Sequence, residues 1–105
     1  MSFPEITVDE LAARLEQGAT LIDVRQPDEY ASGHVPGARL IPLGDVPERV
    51  DEIPSSGEVL VICRSGARSG KACEFLVAQG IAAVNIAGGT LAWLEAGRPV
   101  DTASS

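Results

Sequence analysis

Val59-Leu60-Val61-Ile62-Cys63-Arg64-Ser65-Gly66-Ala67-Arg68-Ser69 is the stretch on which the fold turns. Val59 to Ile62 is a continuous apolar run. Such a run suits a central strand of a parallel sheet, buried on both faces. After a short loop, Ser69 to Gln79 reads as a helix that Gly80 ends. A strand followed by a loop and a helix is the repeating unit of an α/β fold with a mainly parallel sheet.

The same alternation extends in both directions. Upstream, Thr7-Val8-Asp9-Glu10 fits a capping box, and Val8, Leu11, Ala12 and Leu15 follow at helical spacing up to Gly18. Thr20 to Val24 reads as a strand, Pro27 to Ser32 as one helical turn, and Arg39 to Ile41 as a short strand before Pro42. Asp45 to Ile53 reads as a helix with Pro47 in its first turn. Downstream, Ala83 to Ala87 is a strand, Gly88-Gly89 a turn, and Thr90 to Ala96 a last helix closed by Gly97 and Pro99. One domain is expected over residues 1–100, with a short flexible tail over 101–105.

Composition bounds the function. The chain has 105 residues, 45% of them hydrophobic, which is enough for one core and too apolar for disorder. Aromatics are only 4%, so that core is aliphatic. No segment approaches the roughly 20 apolar residues that span a bilayer. Met1 to Glu5 has neither a basic nor an apolar leader region, so a cytoplasmic protein is expected. Two cysteines and one histidine cannot build a structural zinc site unaided, so no metal and no cofactor are expected. The net charge of −7 argues against nucleic acid and anionic membranes as partners. That charge is uneven: between Val59 and Cys73 the charged residues are Arg64, Arg68 and Lys71, with no acid.

Cys63 sits where those cations gather. It is the first residue after the apolar strand, at the end of the sheet where α/β proteins place their active sites. The turn into the following helix aims backbone N–H groups at one point, beside the positive end of a helix dipole. Such a place stabilises a thiolate, the nucleophilic form of cysteine, and Gly66 lets the loop curl there with positive φ. Two rival loops fail on spacing. A tyrosine-phosphatase loop needs five residues between Cys and Arg, whereas four separate Cys63 from Arg68. A nucleotide P-loop needs four residues between its glycines, whereas three separate Gly66 from Gly70. A shorter loop suits a smaller reacting atom, such as a sulfane sulfur.

Cys63-Arg64-Ser65-Gly66-Ala67-Arg68-Ser69 resembles the active-site loop of single-domain rhodaneses. Asp23-Val24-Arg25-Gln26-Pro27-Asp28-Glu29-Tyr30 followed by Gly33-His34-Val35-Pro36-Gly37-Ala38 resembles the upstream signature of that family. Asn85-Ile86-Ala87-Gly88-Gly89 with Trp93, Gly97 and Pro99 resembles its C-terminal signature. The resemblance implies one rhodanese-like domain with a five-stranded parallel sheet and helices on both faces. It also implies a double displacement. Cys63 takes the outer sulfur of thiosulfate or a related anionic donor, sulfite leaves, and the persulfide passes its sulfur to cyanide, a thiol or a sulfur-relay protein.

Within that picture Cys63 is the nucleophile and residues 64–69 are the binding loop. Backbone N–H groups from Arg64 to Ser69, with Ser65, Gly66 and Ala67 between, form the cradle. The Arg64 side chain either binds the donor or is simply solvated, and both readings stand. Arg68 organises the loop as well as binding. Ser69 caps the helix. Asp23, Arg25 and Glu29 brace neighbouring loops, His34 and Trp93 are structural, and Cys73 is a half-buried structural thiol. A disulfide or other redox role for Cys73 is the lesser reading. The first alternative is a persulfide carrier for a specific partner protein; a phosphatase or arsenate reductase on the same fold, and a non-catalytic binding module, come after it.

Overall fold

The computed structural model describes residues 3–102. The elements run β1 (Glu5–Ile6), α1 (Val8–Glu16), β2 (Thr20–Asp23), α2 (Pro27–Ser32), β3 (Arg39–Leu40), β4 (Glu58–Ile62), α3 (Ala67–Ala78), β5 (Ala82–Ile86) and α4 (Gly89–Glu95). The five strands form one sheet in the order β1-β5-β4-β2-β3, and every pairing is parallel. β4 is central, hydrogen-bonded to β2 on one side and β5 on the other.

The alternation of side chains along β4 divides the core in two. Val59, Val61 and Cys63 face the layer built from α3 (Ala72, Cys73, Leu76) and the segment that carries Val46 and Ile53. Leu60 and Ile62 face the opposite layer, with Val8 and Leu11 of α1 and Trp93 of α4. That is why the run is apolar at every position. Each fully buried aliphatic side chain in it contributes about 1.5–3 kcal/mol over an exposed one.

The chain leaves β2 toward β3 and leaves β4 toward β5, in opposite directions. The carboxyl ends of β2 and β4 therefore flank a crevice where the winding of the sheet reverses. Cys63 follows β4 at that crevice, and Val24-Arg25-Gln26 follows β2.

Three local expectations need correction. Asp45 to Ile53 is not one helix but two 3₁₀ turns, Leu43–Asp45 and Val50–Glu52. Pro47 has no N–H, and the bonds around it are mostly of i→i+3 type, such as Arg49 N–H to Val46 O and Ile53 N–H to Val50 O. Val46 and Ile53 are buried and anchor these turns in the core. The helix after Cys63 begins at Ala67, two residues before Ser69, with Gly66 at its N-cap and φ +115°. Ser69 is thus inside the helix and does not cap it. At Thr7 the hydroxyl accepts from Glu10 N–H at 3.2 Å, but the Glu10 carboxylate turns to Arg14 instead of closing the box.

The expected boundary at residue 100 falls one residue early for the backbone. Asp101 and His34 exchange both main-chain hydrogen bonds at 2.9 Å. Residues 103–105 of the expected tail lie outside the described residues.

Candidate active site

Cys63 is buried, 1% exposed, and its sulfur lies inside the turn that follows β4. Gly66 N–H donates to Sγ at 3.0 Å, and the Ser69 hydroxyl lies 3.3 Å from it. Burial pushes the thiol pKa up. The Ser69 hydroxyl and the backbone N–H groups of Ser69, Gly66 and Ser65 outweigh burial and bring it below the ordinary thiol value. These donors explain why the loop must curl as tightly as it does. The N–H groups of Ser65, Gly66 and Ser69 converge on one atom because the chain turns at Gly66, which adopts positive φ.

Other elements hold the loop in place. The Cys63 carbonyl accepts from both the N–H (2.9 Å) and the hydroxyl (3.0 Å) of Thr90, and Arg64 O accepts from Leu91 N–H at 3.0 Å. The start of α4 is thereby seated on the back of the loop. A Cβ on Gly89 would come 2.5 Å from Cys63 O and 2.6 Å from Arg64 O, so this close approach requires glycine.

The expected cations separate into two roles. Arg64 is exposed and lines a cavity of about 270 Å³ together with Arg25, Glu29, Thr90, Leu91 and Leu94. Arg68 is not among the residues lining it. Both of its Nη atoms donate to the Glu29 carboxylate, at 2.7 and 2.8 Å, so its guanidinium fastens α3 to α2 across the crevice. That bidentate pair, followed by the Gln26 N–H, holds the Glu29 carboxyl at about 2. The expected direct binding by the Arg68 side chain is therefore not what this geometry offers, because its donor fork is already occupied.

The upstream cluster is the brace that was expected. Arg25 Nε and Nη2 donate to the buried Asp23 carboxylate at 2.8–3.1 Å, and Nη2 also donates to Gly33 O at 2.9 Å. Arg25 additionally forms part of the cavity wall, a placement its sequence neighbourhood did not signal. His34 stays away from the cavity. Its ring stacks on Tyr30 with centroids 3.7 Å apart, and Nδ1 lies 2.8 Å from Tyr30 O. Trp93 packs in the core, its indole N–H donating to Pro99 O at 2.8 Å. Cys73 is buried in α3, where burial, then repulsion from Glu5 and Cys63, pushes its thiol up to about 12. Ser65 and Ala67 are exposed on the rim of the loop.

A cysteine after the central strand, a ring of N–H donors closed by Ser69, and α4 seated on the loop through Gly89 make up the centre of a domain recognised from its sequence. The Rhodanese-like domain family matches residues 7–96. The chain belongs to that family. A sulfurtransferase of Allochromatium vinosum is 41% identical over 99 residues, covering 91% of this chain and 92% of that one. The thiosulfate sulfurtransferase GlpE of Pseudomonas putida is 34% identical over 94 residues, covering 89% and 84%. Among solved structures, a rhodanese-like domain protein from Staphylococcus aureus superposes with a TM-score of 0.88 at 35% identity, covering 97% of this chain and all of that one. The five-stranded parallel sheet with helices on both faces is thus the rhodanese-like architecture.

Two polar residues of the rhodanese-like domain went unassigned in the sequence. Asn85 of β5 is 2% exposed and reaches Ser69, Gly66 and Glu5. Besides opening the C-terminal signature, its sequence signal is that it is the only polar side chain in the strand Ala82–Ile86. Glu5 had none, because its contact with Asn85 spans 80 positions.

Proposed function

We propose that this rhodanese-like domain is a sulfurtransferase that carries sulfur as a persulfide on Cys63, with thiosulfate or a related sulfane anion as donor. The observation that carries this reading is the set of donors around Sγ. They lower the thiol pKa, and the loop that carries them has four residues between Cys63 and Arg68, one fewer than a tyrosine-phosphatase loop. The Cys63 thiolate attacks the outer sulfur of thiosulfate. A new S–S bond forms on Cys63, the donor S–S bond breaks, and its electron pair leaves with sulfite. A thiolate or cyanide acceptor then attacks the outer sulfur, and the electron pair of the breaking bond returns to Cys63 Sγ. The loop N–H groups stabilise negative charge on either sulfur as an oxyanion hole does on oxygen. Covalent transfer divides one difficult exchange into two easier ones.

Arg64 on the cavity wall attracts the anionic donor, while the Arg25 guanidinium beside it is held by Asp23 and Gly33 O. Arg68 contributes by holding the loop against α2 through Glu29. No general base is required once Cys63 ionises at working pH. The test is intact mass after anaerobic incubation with thiosulfate. The wild-type protein gains one sulfur atom, and Cys63→Ser gains none. Absence of any gain with thiosulfate and with a persulfide donor would sink the proposal, and robust hydrolysis of an aryl phosphate would replace it.

One observation favours a second reading, transfer to a protein acceptor. Leu91 (39% exposed) and Leu94 (49%) are the exposed large hydrophobic side chains among the described residues, and both line the cavity beside Arg64. In that reading Leu94→Asp slows transfer to a protein thiol while loading from thiosulfate keeps its rate. Equal slowing of both rejects it.

A further inference from the structure

The Ser69 hydroxyl has one proton and three acceptors in reach: Gly66 O at 3.2 Å, Cys63 Sγ at 3.3 Å, and Asn85 Oδ1, the nearest. Only one of them receives the proton at a time. The orientation of Asn85 decides which. Its Nδ2 lies 2.8 Å from Glu5 Oε2 and 3.3 Å from Gly66 O, and both are acceptors only. The amide nitrogen must therefore face Glu5, which leaves Oδ1 facing Ser69. Parallel pairing of β1 with β5 sets Glu5 opposite Asn85, so the two side chains lie on the same face of the sheet. Asn85 is 2% exposed and Ser69 is fully buried, so a carbonyl deserted by its donor would stay unpaired.

We infer that Glu5 and Asn85 are positioning residues for Cys63: Glu5 fixes the Asn85 amide so that its carbonyl competes with the Cys63 sulfur for the Ser69 proton. When the sulfur is a thiolate, the hydroxyl turns to it and Asn85 Oδ1 gives up its donor. When the inner sulfur is the neutral atom of a persulfide, the proton returns to Asn85. The competition keeps the thiolate from being over-stabilised, which would cost nucleophilicity, since that falls as thiol pKa falls. Other charges face the sulfur as well. Arg68 of α3 lies close enough to feel both Cys63 and Asp23 and is tied to Glu29 of α2. Cys73 of α3 is a neutral thiol, and Asp23 is neutralised by Arg25 at the end of β2. Changing Glu5 removes its repulsion on Cys73, whose thiol burial still pushes up, and leaves the Arg68–Glu29 and Arg25–Asp23 pairs as they are.

The inference rests on Cys63 as the reactive thiol, but its test reads ionisation and not sulfur transfer, so either can fail alone. The rate of Cys63 alkylation by iodoacetamide is followed against pH on the full chain. Glu5 is exposed on an edge strand, so Glu5→Ala keeps the main-chain pairing. Without Glu5 the amide turns over, Nδ2 donates to Ser69 Oγ, and the hydroxyl is left to the sulfur. Glu5→Ala then lowers the midpoint by about half a unit or more, roughly a three-fold rise in thiolate below the midpoint. Glu5→Gln, which keeps an acceptor oxygen without the charge, stays near wild type. Ser69→Ala raises the midpoint, and Glu5→Ala added to it has no further effect. An unchanged midpoint in Glu5→Ala, an equal shift in Glu5→Gln, or a shift that survives in the Ser69→Ala background overturns the inference. The last two would mean that Glu5 acts through its charge alone.

Discussion

Replacing Glu29 by Gln tests whether Arg68 is a brace. In the native pair the two Nη atoms of Arg68 meet the two carboxylate oxygens, and Oε1 also accepts from Gln26 N–H at 3.0 Å. An amide keeps one acceptor and turns an NH₂ group against a guanidinium N–H. The Arg68 hydrogen bonds, then that of Gln26, take the Glu29 carboxyl from 4.5 to about 2. A shift of this size corresponds to at most ~3.4 kcal/mol in favour of the folded state. The two side chains are 26% and 34% exposed, so water screens the pair, and the expected loss in Glu29→Gln at pH 7 is about 1–2 kcal/mol. The sign of the pH dependence follows from the depressed value. The stabilisation is complete above the unfolded value of 4.5 and disappears as pH falls toward about 2. At roughly pH 3 less than half of it remains. Urea unfolding of wild type and variant at both pH values measures this, with matching m-values as the check that only stability changed. A difference of the same size at both pH values, or none at pH 7, would refute the bracing role.

Three further outcomes follow from the same geometry. Arg64→Ala raises KM for thiosulfate about ten-fold with kcat nearly unchanged, because the exposed side chain lines the cavity and does not touch Sγ; steady-state kinetics decide, and a matching fall in kcat would place Arg64 in the transition state. Gly89→Ala drives a Cβ into the Cys63 and Arg64 carbonyls and costs about 1–3 kcal/mol in urea unfolding, whereas Gly44→Ala, with open space around it, serves as the control. Native protein takes up one alkyl group near pH 8 and two when unfolded, because burial holds the Cys73 thiol at about 12; intact mass with peptide mapping checks this, and rapid native labelling of Cys73 would contradict it.

Much of the architecture was legible in the sequence because it is local. Val59 to Ile62 is apolar at each position, and the strand it forms is buried on both faces. Thr7 and Gly18 mark the ends of α1, since caps are written within a few residues of the groups they satisfy. Where local signals conflicted, reading failed. Val46, Val50 and Ile53 carry helical spacing, but Pro47 withholds an N–H and leaves 3₁₀ turns. A serine at the start of the expected helix, Ser69 to Gln79, reads as its cap. The helix starts earlier because Gly66 supplies the φ value that begins it.

Neighbouring residues alone point to the candidate thiol, the length of its loop and the strand that delivers it. How the polar side chains share their partners depends on contacts between residues far apart in the chain. Arg68 meets Glu29 across 39 positions, and Asn85 meets Glu5 across 80. A guanidinium or an amide has the same hydrogen-bonding capacity wherever it stands in the chain. Which acceptor it meets is set by the order of strands in the sheet, and that order brings β1 beside β5 and the end of β2 beside the loop that holds Cys63.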